Sequence, residues 1–294
     1  MSFSSQVKAE LCRSSLSRRC CAQAEAYGVL LYCNQFTPRQ VRIVTESAEF
    51  AQRLPALFQK AFRLAFDRMP EEGAGKRTFQ ITAPDKLCAL FSAFGQNPAE
   101  SLAHHINFAV LEEEHCRTAF FRGAFLAGGS VTDPAKRYHL ELATAHLSVS
   151  GELRALLLEA GFSPKETLRK GNSLTYFKQS EAIEDFLTAI GAPLAAMEIM
   201  NAKAEKDLRG SVNRRVNCDA HNLDKAVDAA QDQQMQDWFK DYLLGGGDDG
   251  ETWDVVWSLL DGADRSPGAA IDPSENAEYS LDDKYYILSL IHIS

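Results

Sequence analysis

Apolar residues along the first two thirds of this 294-residue chain recur at two spacings, and the switching between them predicts alternating helices and strands. Val7, Leu11 and Cys12 fit a first helix, with Ser4 or Ser5 as its N-cap. A second covers AQAEAYGVLLYCN, from Ala22 to Asn34. Val41 to Thr45 then alternates as a half-buried strand. Phe50, Leu54, Leu57, Phe58, Phe62 and Phe66 follow on one side of a helix that Pro55 either kinks or starts late. Lys76 to Thr82 reads as a strand with Phe79 and Ile81 on one face, and Asp85 to Phe94 as a short helix.

The same order then comes round again. RTAFFRGAFLAGG, from Arg117 to Gly129, is a helix, and Tyr138, Leu140, Leu142 and Thr144 line one face of a strand. Leu153, Leu156, Leu157 and Ala160 mark a helix closed by Gly161. Lys170-Gly171-Asn172 is a turn leading to a strand with Leu174 and Tyr176. Ser180 caps a helix with Ile183, Phe186, Leu187 and Ile190, stopped by Gly191 and Pro193. Helix, strands, helix, strands, helix, twice over, predicts a duplicated α+β domain over residues 1–192, with repeats of about 1–100 and 101–192.

The two glycine-bearing helices match at an offset of 95 residues: Ala24 with Ala119, Gly28 with Gly123, Leu31 with Leu126. In each, Ala and Gly lie four apart and share a face. Mid-helix glycine costs about 1 kcal/mol relative to alanine, so each needs a reason, and close approach of the other helix's backbone supplies one. The pattern resembles the LAGLIDADG helix pair of homing endonucleases, which forms the seam of a pseudo-two-fold domain. Aligned on that motif, its last glycine falls on Asn34 and Gly129 and its catalytic acid on Cys33 and Gly128. Neither supplies the hard carboxylate a divalent cation needs, so the resemblance implies the seam without the chemistry, and a chain that is not an enzyme. Asp133, a substitute ligand in principle, belongs with Pro134 to a turn.

From Leu194 to Ala230 the sequence is helical and polar, with Leu194, Met197, Met200, Ala204 and Leu208 on one side. Its centre, RGSVNRRVNCDAHNLDKAVDAA from Arg209 to Ala230, is similar to the connector of the WhiA family, regulators of sporulation and cell division in Gram-positive bacteria. Asn213-Arg214, Val216-Asn217-Cys218, Asn222-Leu223, Lys225 and Ala229-Ala230 carry the likeness, supported by the opening MSFSS, by FFRGAFLAGGSVTDP (Phe120 to Pro134) and by Tyr138 to Glu141. The resemblance implies a helical connector over residues 193–230 and a DNA-binding transcriptional regulator. Family members continue into a helix-turn-helix domain. Here, after about Gln233, the chain turns acidic, with Gly245 to Gly250 rich in Gly and Asp, an apolar patch from Trp253 to Leu260, and an ending, LSLIHIS, that looks like translated adapter sequence. Residues 231–294 are expected to be an atypical tail, frame-shifted or artefactual.

Charge sharpens this division. Residues 231–294 hold 14 acids and 3 bases, so the overall charge of −9 belongs to the tail, and the front of the chain carries a net +2. An acidic total therefore does not argue against DNA binding by residues 1–230. The basic candidates are Arg209, Arg214 and Arg215 with Asn213 in the connector, and Lys165, Arg169, Lys170 and Lys178 around the strands of the second half. Such residues give salt-dependent affinity for duplex phosphates. Without a helix-turn-helix that affinity should be weak. The competing reading is a module that docks the transcription machinery and has little affinity for DNA.

Other chemistry is sparse. Seven cysteines (Cys12, Cys20, Cys21, Cys33, Cys88, Cys116, Cys218) form no CxxC or paired spacing, so no zinc site, other metal or cofactor is predicted. Cys33 and Cys116 read as small core residues, and the odd count fits reduced thiols in the cytoplasm; the resemblance implies a place at the nucleoid. His139 and Glu141 share a strand face expected to be solvated, His104-His105 lacks a partner at ligand spacing, and Glu112 to Glu114 is an exposed run. No phosphate loop, GxSxG motif, secretory signal or 18-residue apolar span is present, so no membrane partner is expected.

Overall fold

In the computed structural model, which describes residues 2–71, 75–96 and 103–244 (side chains as far as residue 234), two helices occupy the centre. They are α2 (Arg19–Tyr32) and α5 (Glu114–Gly128), and they run side by side in one direction. Their contact is backbone on backbone. A Cβ added at Gly28 would lie 2.2 Å from the Phe120 carbonyl oxygen, and one at Gly123 only 1.9 Å from that of Glu25. Each mid-helix glycine is thus where the partner's backbone passes, as the paired motif predicts.

Each half builds a sheet beside this seam. In the first, β1 (Gln35–Thr37), β2 (Gln40–Thr45) and β3 (Arg77–Ile81) pair antiparallel in the order 1-2-3. In the second, β4 (Gly129–Val131), β5 (Leu140–Thr144), β6 (Lys165–Arg169) and β7 (Asn172–Phe177) are ordered 4-5-7-6. Helices α3 (Ala48–Phe62) and α4 (Pro84–Ala93) belong to the first half, and α6 (Leu147–Glu159) and α7 (Ser180–Ile190) to the second. A 3₁₀ turn, Phe108–Leu111, precedes α5. Helix α1 is Phe3–Cys12; its N-cap is Ser2, whose hydroxyl accepts from the Ser5 amide, rather than Ser4 or Ser5. The β6–β7 hairpin turns on Lys170 and Gly171, both at positive φ (53° and 81°), the twist a two-residue hairpin loop demands.

Alternation decides which strand residues enter the core. Val41, Ile43, Phe79 and Ile81 point inward from the first sheet, Leu140 and Leu142 from the second, and all are buried. Strand β7 forms where the sequence predicts it, carrying Leu174, 6 % exposed, and Tyr176. Ser173, Thr175 and Phe177 lie opposite Thr144, Leu142 and Leu140 on the inner face, which turns Leu174 and Tyr176 outward. The hydroxyls of Thr175 and Ser150 lie 3.2 Å apart in the interior and satisfy each other, so two polar residues can take core positions. Pro55 sits at the middle of α3 without ending it, and Phe66 lies beyond that helix but still packs on Phe58 and Phe79.

A buried ion pair ties the first half to the seam. Arg53 of α3 donates through Nε to Glu25 Oε1 at 2.6 Å and through Nη2 to Oε2 at 2.9 Å. Its remaining nitrogen reaches the carbonyls of Cys12 and Ser14 at 3.0 and 2.6 Å. Arg122 of α5 adds a 3.4 Å contact to Glu25 and donates to the Ile190 carbonyl, at the end of α7, at 2.7 Å. Glu25, 1 % exposed, therefore links both seam helices to three other segments. A buried carboxylate is tolerated because both of its oxygens accept from charged donors.

The chain divides into two units, residues 1–215 and 216–294; the sheets and the helix pair belong to the first. Helix α8, Pro193–Leu244, crosses that division and continues unbroken past Gln233. Its start is fixed by Glu10 of α1, whose carboxylate accepts from the amides of Leu194 and Ala195 at 2.7 and 3.0 Å. The expected apolar stripe faces the other way from the docked surface. Ala192, Ala195, Ala196 and Ile199 are buried, while Leu194 and Leu208 are 62 % and 66 % exposed, with Met197 and Met200 also exposed. Small side chains let α8 lie close to the domain, and hydropathy alone does not register that preference. The Gly- and Asp-rich run and the patch from Trp253 to Leu260 lie outside the described residues.

Candidate functional site

At the C-terminal end of the seam the two positions aligned with catalytic acids hold no carboxylate. Cys33 ends α2, and its thiol donates to the carbonyls of Leu30 and Gln35 at 3.1 and 3.2 Å. Burial pushes that thiol up to about 12, so it stays protonated. A Cβ on Gly128 would meet the Ala143 carbonyl oxygen at 2.5 Å and the Tyr32 ring at 3.0 Å. Residue 128 thus has no space for a carboxylate side chain. Asn34, at the motif's last-glycine position, accepts from the Val44 amide at 2.8 Å. Asp133 is exposed and accepts from the Ala135 amide at 2.9 Å, a turn as predicted.

The outward faces of the sheets carry the basic side chains. In the second sheet the register sets Lys165 opposite Tyr176 and Arg169 opposite Asn172, with Thr167 between them. Lys178 lies 5.3 Å from the centre of the Tyr176 ring, and Lys170 occupies the hairpin turn. This face is not uniformly positive. Glu141, opposite Tyr176 on the other side, lies 3.1 Å from His139 and 3.9 Å from Arg169. His139 and Glu141 therefore lie within hydrogen-bond reach of each other and are largely covered, where a solvated face was expected.

The first sheet adds residues that the sequence reading passed over. Arg42 lies between Gln35 and Gln80 on its outer face, Arg39 is exposed in the β1–β2 turn, and exposed Arg68 bridges to Gln80. The signal for Arg42 was available: it holds the outward position between inward Val41 and Ile43. Arg68 had none, since it joins the sheet from a loop.

In the connector, Arg209, Asn213, Arg214 and Arg215 are all exposed on α8. They do not form one face. At about 100° per residue, Arg209 and Asn213 lie together while Arg214 and Arg215 are carried successively further round. Nearer the domain, Lys206 donates to the Pro134 carbonyl at 2.6 Å and sits 4.5 Å from the Tyr138 ring centre, and Lys203 pairs with Glu181. These two lysines hold the helix.

At the opposite, N-terminal end of the seam, four donor groups meet. Cys20 and Cys21 open α2, His115 and Cys116 open α5, and their ligand atoms all lie within 4.8 Å of one another. His115 Nδ1 is 3.4 Å from Cys21 Sγ and 3.2 Å from Cys116 Sγ. Burial, then the neighbouring Cys20, raises the Cys21 and Cys116 thiols above their ordinary range. Spacing rules within one segment could not find this set, because its halves are 95 residues apart.

A duplicated domain with a glycine-lined helix pair, two outward sheets and no carboxylate at the seam's acid positions is a LAGLIDADG-like domain outside the nuclease pattern. Residues 117–209 match the family model for the WhiA LAGLIDADG-like domain. The probable cell division protein WhiA of Ruminiclostridium cellulolyticum is 36 % identical over 239 residues, covering 78 % of this chain and 76 % of the relative. That of Alkaliphilus metalliredigens is 32 % identical over 244 residues, covering 78 % and 77 %. The crystal structure of full-length WhiA from Thermatoga maritima superposes with a TM-score of 0.58 at 22 % identity, covering 76 % of this chain and 73 % of that one. The chain belongs to the WhiA family.

Proposed function

We propose that this protein acts in bacterial cell division and sporulation as a regulator that binds duplex DNA without cutting it. The role in division follows its relatives, which are named probable cell division proteins. The observation that carries DNA binding is the set of basic side chains on the outward sheet faces: Arg39, Arg42 and Arg68 on one, Lys165, Arg169 and Lys178 on the other. Lys170 and the connector's Arg209, Asn213, Arg214 and Arg215 extend the candidate surface. These groups recognise phosphates and carry little sequence information, so binding is weak and salt-sensitive. Nuclease inactivity is supported by Cys33 and Gly128, where a carboxylate is absent from one position and excluded from the other.

Anisotropy of a labelled duplex tests this. Binding at 50 mM salt should fall by at least about tenfold at 200 mM, and the triple change Arg42→Glu, Lys165→Glu, Arg169→Glu should remove most of it. No binding at the lower salt, or binding indifferent to salt, refutes the reading. Supercoiled plasmid with Mg²⁺ should stay intact.

A second reading rests on α8. Its exposed row Leu194, Met197, Met200, Leu208 and Val212 suits an apolar partner, and a protein of the transcription machinery would fit the family's role. Absence of a gel shift at low and moderate salt alike favours this alternative.

A further inference from the structure

Several features of the molecule offer further chemistry. The buried Glu25–Arg53–Arg122 group is fully paired, the shallow groove beside Leu147 and Leu168 has nothing to identify an occupant, and His104 with His146 is packed against Phe36. The four donors at the head of the seam are different: Cys116 and Cys21 also pack in or against the core, but packing alone does not require three thiols and an imidazole nitrogen within 4.8 Å of one another.

We propose that Cys20, Cys21, His115 and Cys116 form a tetrahedral zinc site that clamps the two halves of the domain together at the N-terminal end of the helix pair. Three thiolates and one imidazole are a ligand set of structural zinc sites, and soft thiolates select such a metal over magnesium or calcium. The size is right. Bonds of 2.3 Å to sulfur and about 2.0 Å to nitrogen give tetrahedral edges of about 3.5–3.8 Å, and the observed N–S separations are 3.2 and 3.4 Å with all four atoms inside 4.8 Å. The His115 ligand is Nδ1, the atom facing both sulfurs.

The duplication explains the arrangement. At the 95-residue offset that pairs Gly28 with Gly123, Cys20 pairs with His115 and Cys21 with Cys116. Each helix offers the second and third residues of its first turn, so the pseudo-two-fold axis passes through the site. Neither helix has a side-chain cap, although α1 and α3 both do. Exposed Arg18, the residue before α2, and Arg19, its first residue, place positive charge beside thiols whose burial otherwise holds them protonated. On binding, each thiol releases its proton to water and the ion takes three sulfurs and Nδ1. The site is structural rather than catalytic. It fills all four positions with protein, and Cys21 is about 18 Å along the helix from Cys33.

The full chain, purified reduced and without chelator, should contain one zinc per molecule by elemental analysis. The demetallated chain titrated with Co²⁺ should develop thiolate charge-transfer and tetrahedral d–d absorption that saturates at one equivalent. Cys20→Ala, at an exposed position, should weaken Co²⁺ binding by roughly tenfold or more without preventing folding, checked by circular dichroism. Cys88→Ala, an exposed cysteine elsewhere, should leave it unchanged. Chelation should lower the melting temperature of the parent chain and not of Cys20→Ala. The proposal is overturned by sub-stoichiometric zinc together with an octahedral cobalt spectrum. It is overturned equally by Cys88→Ala matching Cys20→Ala, or by a reduced chain that takes up no metal and on oxidation forms a Cys21–Cys116 disulfide instead.

Discussion

At the C-terminal end of the helix pair, the two equivalent positions are Cys33, whose thiol is bonded to two carbonyls, and Gly128, which has no space for a side chain. At the N-terminal end, the equivalent pairs Cys20–Cys21 and His115–Cys116 turn four donors towards one point. Both ends obey the same geometry, since a pseudo-two-fold helix pair brings equivalent residues together wherever the helices converge. The chemistry differs because the side chains do. The fold supplies two places for a metal, and the residues decide which of them is equipped and with what hardness of ligand.

The largest effect should come from prising the middle of the seam apart. Gly28→Ala with Gly123→Ala places two methyls against backbone carbonyls at 2.2 and 1.9 Å, where no rotamer can relieve the clash. Denaturant unfolding should show a loss of roughly 4–6 kcal/mol, two overpacked sites each at or beyond the upper end for such changes. Stability within about 1 kcal/mol of the parent chain would mean the helices do not approach this closely.

Next in size is Glu25→Ala, one turn along α2 from Cys21. It strands the buried Arg53 guanidinium, takes one partner from the partly buried Arg122, and should cost about 3–5 kcal/mol. Restoring stability by adding Arg53→Met would identify the loss as uncompensated charge rather than missing volume.

The smallest change in stability, and the sharpest contrast between the two ends, is Gly128→Asp. The carboxylate's Cβ collides with the Ala143 carbonyl and Tyr32, so a loss of about 1–3 kcal/mol is expected. Plasmid nicking with Mg²⁺ should remain absent. Nicking by this variant would show that the end has kept room for metal chemistry.

Much of the scaffold is legible in local pattern. Both glycine-bearing helices, the strands through Val41 and Leu140, the amphipathic α3 and α7, and the duplication itself follow from spacing, because burial on one side of a helix or strand leaves a periodic trace. Three-residue β1 and β4 leave none. In strand β7, Thr175 enters the core by sharing a hydrogen bond with Ser150, and a polar residue satisfied by a distant partner looks solvent-facing in sequence. The apolar stripe on α8 does not mark its docked side, which is made of alanines and Ile199.

What the amino-acid sequence determined by itself is the repeated order of elements, the glycine seam, the absence of acids at positions 33 and 128, and the family likeness of residues 209–230. Only the tertiary structure decided that Gly128 excludes a side chain, that basic residues of the first sheet join those of the second as outward groups, and that two cysteines and a histidine–cysteine pair converge. Helix and strand propensity act over a few neighbouring residues. A ligand set or a steric exclusion is built from segments about a hundred residues apart, and its distances exist only once the chain has packed.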